Sequence, residues 1–448
     1  MNAENKIAVD EVSEVFDLQT ENQWHVRRSS AAQRIEKLKR LRAAVLSYED
    51  EIKSALFLDL RKNEEAATLE LDAVYGDIDD AIASVTEWMK PVIVETSEAF
   101  KSARAKLVYE ARGIVLLFGA WNFPFTLVFQ PLVPIIAAGN CAIVKPNELS
   151  PNTSLVISKI VKDVFDKEEI AVFEGGVDLA NRLLELPIDH VFFTGSPAVG
   201  KIVMAAAAKH LASVTLELGG KNPVIVDKSA NIEDAAAKIA FLRNMNTGQV
   251  CLCPENVYVH EDCKDEFIAV AKATYSATCY VDGELNTDVH GKIVDKRNLD
   301  RVRGYLDDAI AKGASLEFGG QVDESTQSIH PTILTNVPHD ARIMSEEVFG
   351  PILSIFTYKD ISEVYKSLQK QEKPLALYVF SEDDNFVEDV LANTSSGGVT
   401  VNHCVMHYLE HNLPFGGVNG SGIGRYHGIH GFKELSHERA VLHTAVEV

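Results

Sequence analysis

Apolar residues recur at helical spacing between charges over 31–47 and 64–89, so the first hundred residues are read as helices. From about residue 107 the pattern changes. Short apolar runs predict strands over 113–118, 141–144, 170–173, 190–193 and 214–218. Between them, amphipathic stretches predict helices over 125–138, 153–165, 179–186 and 198–210. Such alternation builds a parallel sheet covered by helices on both faces. The pattern then restarts, with strands over 223–226, 257–259, 353–356, 376–380 and 399–401 and helices over 232–245, 361–369 and 385–392. Two α/β units joined near Gly219-Gly220 follow, without internal repeat or low-complexity segment. Sites in such sheets lie beyond strand C-termini, and a cleft between the units is the place to look for one.

The stretch 113–144 is apolar enough to raise a membrane span. Trp121-Asn122-Phe123-Pro124, Pro131, Pro134 and Asn140 interrupt it, so a strand, turn, helix and second strand account for it without one. The polar start at Met1 lacks the apolar centre of a signal peptide, and the end at Val448 has no apolar tail. A chain of 448 residues exceeds one ordinary core, so two or three domains are expected. With 43 basic against 65 acidic residues, the net charge of −22 repels phosphate and argues against nucleic-acid partners. Six scattered cysteines without a secretory signal point to reduced thiols and a cytoplasmic location. The Cys251-Leu252-Cys253 spacing suits neither a zinc ribbon nor a thioredoxin-type pair.

Several short segments carry candidate chemistry. In Asn246-Thr247-Gly248-Gln249-Val250-Cys251 a helix ends at a glycine turn, which can present the sulfur to a cleft as a nucleophile or simply bury it. Glu217 lies in an apolar strand before Gly219-Gly220, where apolar neighbours raise a carboxyl pKa toward that of a general base; a solvent-facing glutamate or a pair with Lys221 is the alternative. In Phe193-Thr194-Gly195-Ser196-Pro197 a strand turns into a helix whose free N–H groups suit a pyrophosphate. Asn122 would place an amide donor at a strand end, for an oxyanion or for an ordinary turn. Lys145 and Glu148 close another strand, where they could hold ribose hydroxyls. Glu347-Val348-Phe349-Gly350-Pro351 offers a carboxylate and an aromatic ring. His403, His407, His411, His427 and His430 match no helix face, are assigned to surface or packing roles, and no metal site is expected.

In this order, these segments together with Pro414-Phe415-Gly416-Gly417-Val418 resemble the aldehyde dehydrogenase superfamily over roughly 107–437. The short N-terminal region, the segment 205–211, and 413–424 followed by Tyr426-His427-Gly428 look most like its class 3 branch. The resemblance implies an α/β fold of two parallel-sheet, Rossmann-like domains plus a small oligomerisation element. The cofactor domain would take 1–90 and 114–217, the catalytic domain 218–425, and the bridging element 91–113 and 426–448. It implies oxidation of a medium- or long-chain aliphatic or aromatic aldehyde to the acid, through a cysteine thiohemiacetal and thioester. NAD is the implied cofactor, with NADP as the alternative, and a homodimer the implied assembly. Cys251 matches the nucleophile, Glu217 the general base and Asn122 the oxyanion amide. Lys145 and Glu148 match the adenosine-ribose contacts, Gly195 and Ser196 the pyrophosphate turn, and Glu347 and Phe349 the nicotinamide-riboside contacts. Tyr109, Phe125, Tyr408 and Leu409 are candidates for the aldehyde tunnel. A coenzyme A-acylating enzyme and a non-catalytic protein on the same fold are the alternatives. Two positions depart from the branch pattern: Cys253, which either packs or bonds transiently to Cys251, and Glu255, where aspartate is usual.

Overall fold

In the computed structural model, which describes residues 3–444 and side chains from Glu11 onward, five parallel strands and one antiparallel strand form the first sheet. The Met1 start and the 445–448 end read above lie outside the described residues. The strand order is Gly422–Ile423, Ser213–Leu218, His190–Gly195, Ile114–Phe118, Cys141–Lys145, Ile170–Val172, with Gly422–Ile423 antiparallel to its neighbour. Every residue of Ile114–Phe118 and Cys141–Lys145 is buried, as expected for strands covered on both faces.

The second sheet has seven strands in the order Ser315–Phe318, Thr332–Thr335, Ile352–Tyr358, Asn256–His260, Pro223–Val226, Ala376–Phe380, Gly398–Val401. Only its first pair is antiparallel. The chain leaves one sheet at Leu218 and enters the other at Pro223, so the switch falls at the Gly219-Gly220 turn. A third, antiparallel sheet joins Val92–Val94, Arg104–Ala111 and Ser436–His443.

Local chemistry sets the helix ends. Ser30 closes a capping box on Ala31–Ser47, and Asn63 caps Glu64–Trp88. Thr126–Ala138 is buried along its whole length despite Pro131 and Pro134, and stops at Gly139 in the left-handed region (φ 84°). Helices Lys264–Cys279 and Lys296–Ala311 were not predicted, although Phe267, Ile268, Ala271 and Tyr275 bury one stripe of the first at helical spacing. Among the described residues, no helix is long and apolar enough to cross a membrane.

Candidate active site

Cys251 follows the helix Ile232–Asn244 by way of three consecutive left-handed residues, Asn246 (φ 48°), Thr247 (φ 56°) and Gly248 (φ 71°). A Cβ on Gly248 would come within 2.3 Å of the Gly350 backbone, so the turn needs glycine for space as well as for φ. Two non-glycine residues in this region mark a strained turn that its surroundings must hold. Asn246 Nδ2 donates to the carbonyls of Asn122 (2.9 Å) and Gln249 (3.2 Å), and Gln249 Nε2 donates to that of Lys292 (3.0 Å). Asn222 Nδ2 donates to the carbonyls of Cys251 (2.7 Å) and Cys253 (3.0 Å), while its Oδ1 accepts from Ala376 N (2.9 Å). Sequence reasoning missed Asn222, Asn246 and Gln249 as site builders; their adjacency to the Gly219-Gly220 turn and to Cys251 was the available signal.

Asn122 is buried, and its side-chain amide donates to the Gln249 carbonyl at 3.1 Å, two residues before Cys251. Its own carbonyl accepts from Lys62 Nζ at 2.8 Å. Glu217 ends a buried strand, and neither carboxylate oxygen has a hydrogen-bond partner. Burial therefore holds its pKa well above the ordinary range, Arg425 opposing and the Glu434 charge adding. Lys221, the alternative partner, pairs instead with Glu255, which also accepts from Val348 N at 3.2 Å. Glu255 thus anchors the segment that carries Glu347 and Phe349.

Burial pushes the Glu347 carboxyl up to about 8, with the Glu255 charge adding. A Cβ on Gly219 would collide with that carboxylate. Phe349 adopts a left-handed φ of 46° and meets Trp121 edge-on at 5.3 Å. Burial first, then the Glu347 and Glu217 charges, raise the Cys251 thiol, so it is neutral in this state. Cys253 is buried, its thiol pushed up to about 12 by burial and donating to the Leu242 carbonyl at 3.3 Å. All six cysteines are free.

Lys145 Nζ lies 2.9 Å from Glu148 Oε2, Lys145 being buried and Glu148 half-exposed. Ser196 caps the helix Pro197–Ala208, and a Cβ on Gly195 would strike the Phe193 ring. Because their strands are parallel, Asn122, Lys145, Gly195, Ser196 and Glu217 share the C-terminal edge of the six-stranded sheet. The other contributors differ from the expectation of strand C-termini. Asn222, Cys251 and Glu347 come just before the strands Pro223–Val226, Asn256–His260 and Ile352–Tyr358, at the N-terminal edge of the second sheet. The short Gly219-Gly220 link makes those two edges face each other.

Of the tunnel candidates, Tyr408 stays beside the site: it packs edge-on against Phe415 at 4.9 Å, and its hydroxyl donates to Gln130 Oε1. Tyr109 belongs to the small antiparallel sheet, its hydroxyl bonded to Glu438 at 2.8 Å. Phe125 is fully buried against Phe129, and Leu409 is exposed.

The aldehyde dehydrogenase family model matches residues 4–441. The chain belongs to the aldehyde dehydrogenase family. It is 45% identical to the Bacillus subtilis protein AldX, which carries an aldehyde dehydrogenase name, over 98% of this chain and 99% of that one. It is 42% identical to the 4,4'-diaponeurosporen-aldehyde dehydrogenase of Staphylococcus aureus, over 91% of this chain and 88% of that one. A Staphylococcus aureus AldH structure in a substrate-bound state superposes with a TM-score of 0.93, at 39% identity, covering 98% of this chain and 95% of that one. As a member of the family, this aldehyde dehydrogenase oxidises aldehydes to carboxylic acids with a nicotinamide dinucleotide, NAD(P)+, as oxidant. The aldehyde dehydrogenase fits that group: Thr194 Oγ1 is buried without a partner beside Gly195, and Val177 and Val199 expose apolar side chains in the first turns of their helices.

Proposed function

We propose that Cys251 is the nucleophile, Glu217 the general base and Asn122 the oxyanion donor of this oxidation. The observation that carries the reading is the junction of the three: the Asn122 amide bonds to the turn of Cys251, and the Glu217 carboxylate is buried without a partner close enough to raise the thiol. The Cys251 sulfur, once deprotonated, attacks the aldehyde carbon. The second Asn122 N–H and the Cys251 backbone N–H hold the oxyanion that forms. A bound nicotinamide would supply the acceptor for the hydride that leaves the Cys251 adduct carbon, and that loss turns the adduct into a thioester. Glu217 then takes a proton from water as the water oxygen adds to the thioester carbon, and the C–S bond breaks to release the acid and return the Cys251 thiolate. Glu347 and Phe349 would hold the nicotinamide riboside, Gly195 and Ser196 the pyrophosphate, and Lys145 and Glu148 the adenosine ribose. The test is Cys251→Ala: dehydrogenase activity vanishes while dinucleotide binding, read by fluorescence, persists. Full activity in that variant overturns the assignment.

The substrate class is a medium- or long-chain aliphatic or aromatic aldehyde, supported by the aromatic side chains of Tyr408, Phe415 and Tyr426 packed on one another near Cys251 and Glu217. Hexanal, decanal, benzaldehyde and cinnamaldehyde, each with NAD and NADP, rank substrate and cofactor together. NAD is the preferred cofactor, because the Glu148 carboxylate repels a 2′-phosphate. The cofactor domain takes 1–90 and 114–217, the catalytic domain 218–425 except the strand Gly422–Ile423, which lies at the edge of the first sheet, and 91–113 with 426–448 form the bridging element. The exposed edge strand Val92–Val94 of the small sheet, with Ile93 78% exposed, supports a homodimer. Sedimentation analysis reads that state directly. Six free cysteines support a reducing, cytoplasmic location.

A further inference from the structure

Asp77 lies on the helix Glu64–Trp88, His411 just beyond Met406–Leu409, and His427 immediately before Gly428–Glu434. One ligand atom from each lies within 4.8 Å of the other two. Asp77 Oδ1 and His411 Nδ1 are 2.9 Å apart. His427 is 2% exposed, yet among the described residues neither ring nitrogen has a hydrogen-bond partner; the Tyr408 backbone carbonyl stands near the ring. A buried imidazole left unpaired costs about as much as a lost hydrogen bond. Aromatic packing, not a polar partner, orients it: Tyr426 meets the ring at 4.4 Å, Tyr408 at 4.9 Å and Phe415 at 5.5 Å.

We propose that Asp77, His411 and His427 bind a divalent transition metal of the zinc class, with water in the remaining position. Two imidazoles and one carboxylate suit zinc, cobalt or nickel, whereas calcium and magnesium prefer all-oxygen sites. A ligating histidine commonly turns its other N–H to a backbone carbonyl, and the Tyr408 carbonyl is near enough to His427 to take that role once the metal fixes the ring. Zinc bonds of about 2.0–2.2 Å put tetrahedral ligand atoms roughly 3.3 Å apart, so the 2.9 Å Asp77–His411 pair opens slightly on binding. His411, 38% exposed, is the ligand free to move, and it leaves a path from solvent. The bound metal ties the segment carrying Tyr408, Phe415 and Tyr426 to the helix Glu64–Trp88. Asp77 lies far in the chain from the two histidines, so histidine spacing did not suggest the site and left His411 and His427 to surface or packing roles.

The test uses full-length protein carrying Cys251→Ser, which removes the most competitive thiol. Zinc is titrated by calorimetry and cobalt by visible absorption. One metal per chain is expected, with a cobalt spectrum of nitrogen and oxygen ligation, no thiolate charge-transfer band, and a raised Tm. His411→Gln and Asp77→Asn, each made separately, should weaken binding at least about tenfold. His411 is half-exposed, so its variant folds even where a change at His427 does not. No uptake, a thiolate band, or affinity unchanged in both variants overturns the proposal.

Discussion

Lys62 Nζ donates to the Asn122 backbone carbonyl at 2.8 Å and, in the same buried site, lies 2.5 Å from Glu70 Oε1. Glu70 Oε2 accepts in turn from the N–H groups of Phe125 (3.2 Å) and Thr126 (3.0 Å), at the start of the helix Thr126–Ala138. One buried ion pair therefore holds both ends of the 122–126 turn. Removing one partner of such a pair leaves the other charge uncompensated, which costs about 3–5 kcal/mol. Lys62→Met should lower the denaturant midpoint accordingly, and should reduce kcat more than it raises KM because Asn122 loosens. Unchanged stability would show that the pair is dispensable.

Asn122→Ala removes the side-chain donor and leaves the backbone contacts in place. Its kcat should fall roughly 10²–10³-fold with a small change in KM, as for other lost oxyanion donors. Steady-state kinetics on a good aldehyde checks this, and an effect confined to KM counts against the oxyanion role.

Glu347 has a folded pKa of about 8 against an ordinary 4.5. Between those values the native protein keeps a proton that the unfolded chain releases, so this group's contribution to stability falls as pH rises from 4.5 to about 8. Glu347→Gln removes that slope. The Tm of the variant relative to the parent should therefore climb across this window and level off above it.

Glu148 is held by Lys145 at the C-terminal edge of the six-stranded sheet. Replacing it with glutamine removes a charge that opposes a 2′-phosphate while keeping the shape. The ratio of kcat/KM for NADP over NAD should rise in Glu148→Gln. A ratio that does not move places cofactor choice elsewhere.

Cys253 turns its thiol to the Leu242 carbonyl at the end of the helix Ile232–Asn244. Mild peroxide treatment followed by a non-reducing peptide map should find no bond between Cys251 and Cys253. Cys253→Ala should stay active and lose roughly 1 kcal/mol of stability, the size of one hydrogen bond with little packing lost.

Much of the molecule was legible before any coordinates. Strands such as 223–226 and 376–380 were predicted at their observed bounds, because a run of buried apolar residues between turns admits few other structures. The helix over 31–47 was equally plain from its periodicity. The small sheet was visible only through the family resemblance, since Arg104–Ala111 and Ser436–His443 pair across most of the chain and their alternation is weak. Lys62 and Glu70 carried no signal at all: one is a charge in the link before the helix Glu64–Trp88 and the other a charge on that helix, and only packing against the 122–126 turn buries them.

By itself the sequence determined the alternation of strands and helices and the ordered motifs that contain Cys251, Glu217 and Asn122, because these depend on local periodicity and residue chemistry. Tertiary structure alone decided that the C-terminal edge of one sheet meets the N-terminal edge of the other, that Asn222 holds the Cys251 turn, and that Glu255 rather than Glu217 takes Lys221. It also decided that Asp77 comes to rest beside His411 and His427. Those relationships join residues from separate segments: the Asn222 and Lys221 contacts exist only once Pro223–Val226 and Asn256–His260 pair side by side, and the meeting of the two edges only once the sheets have closed on each other.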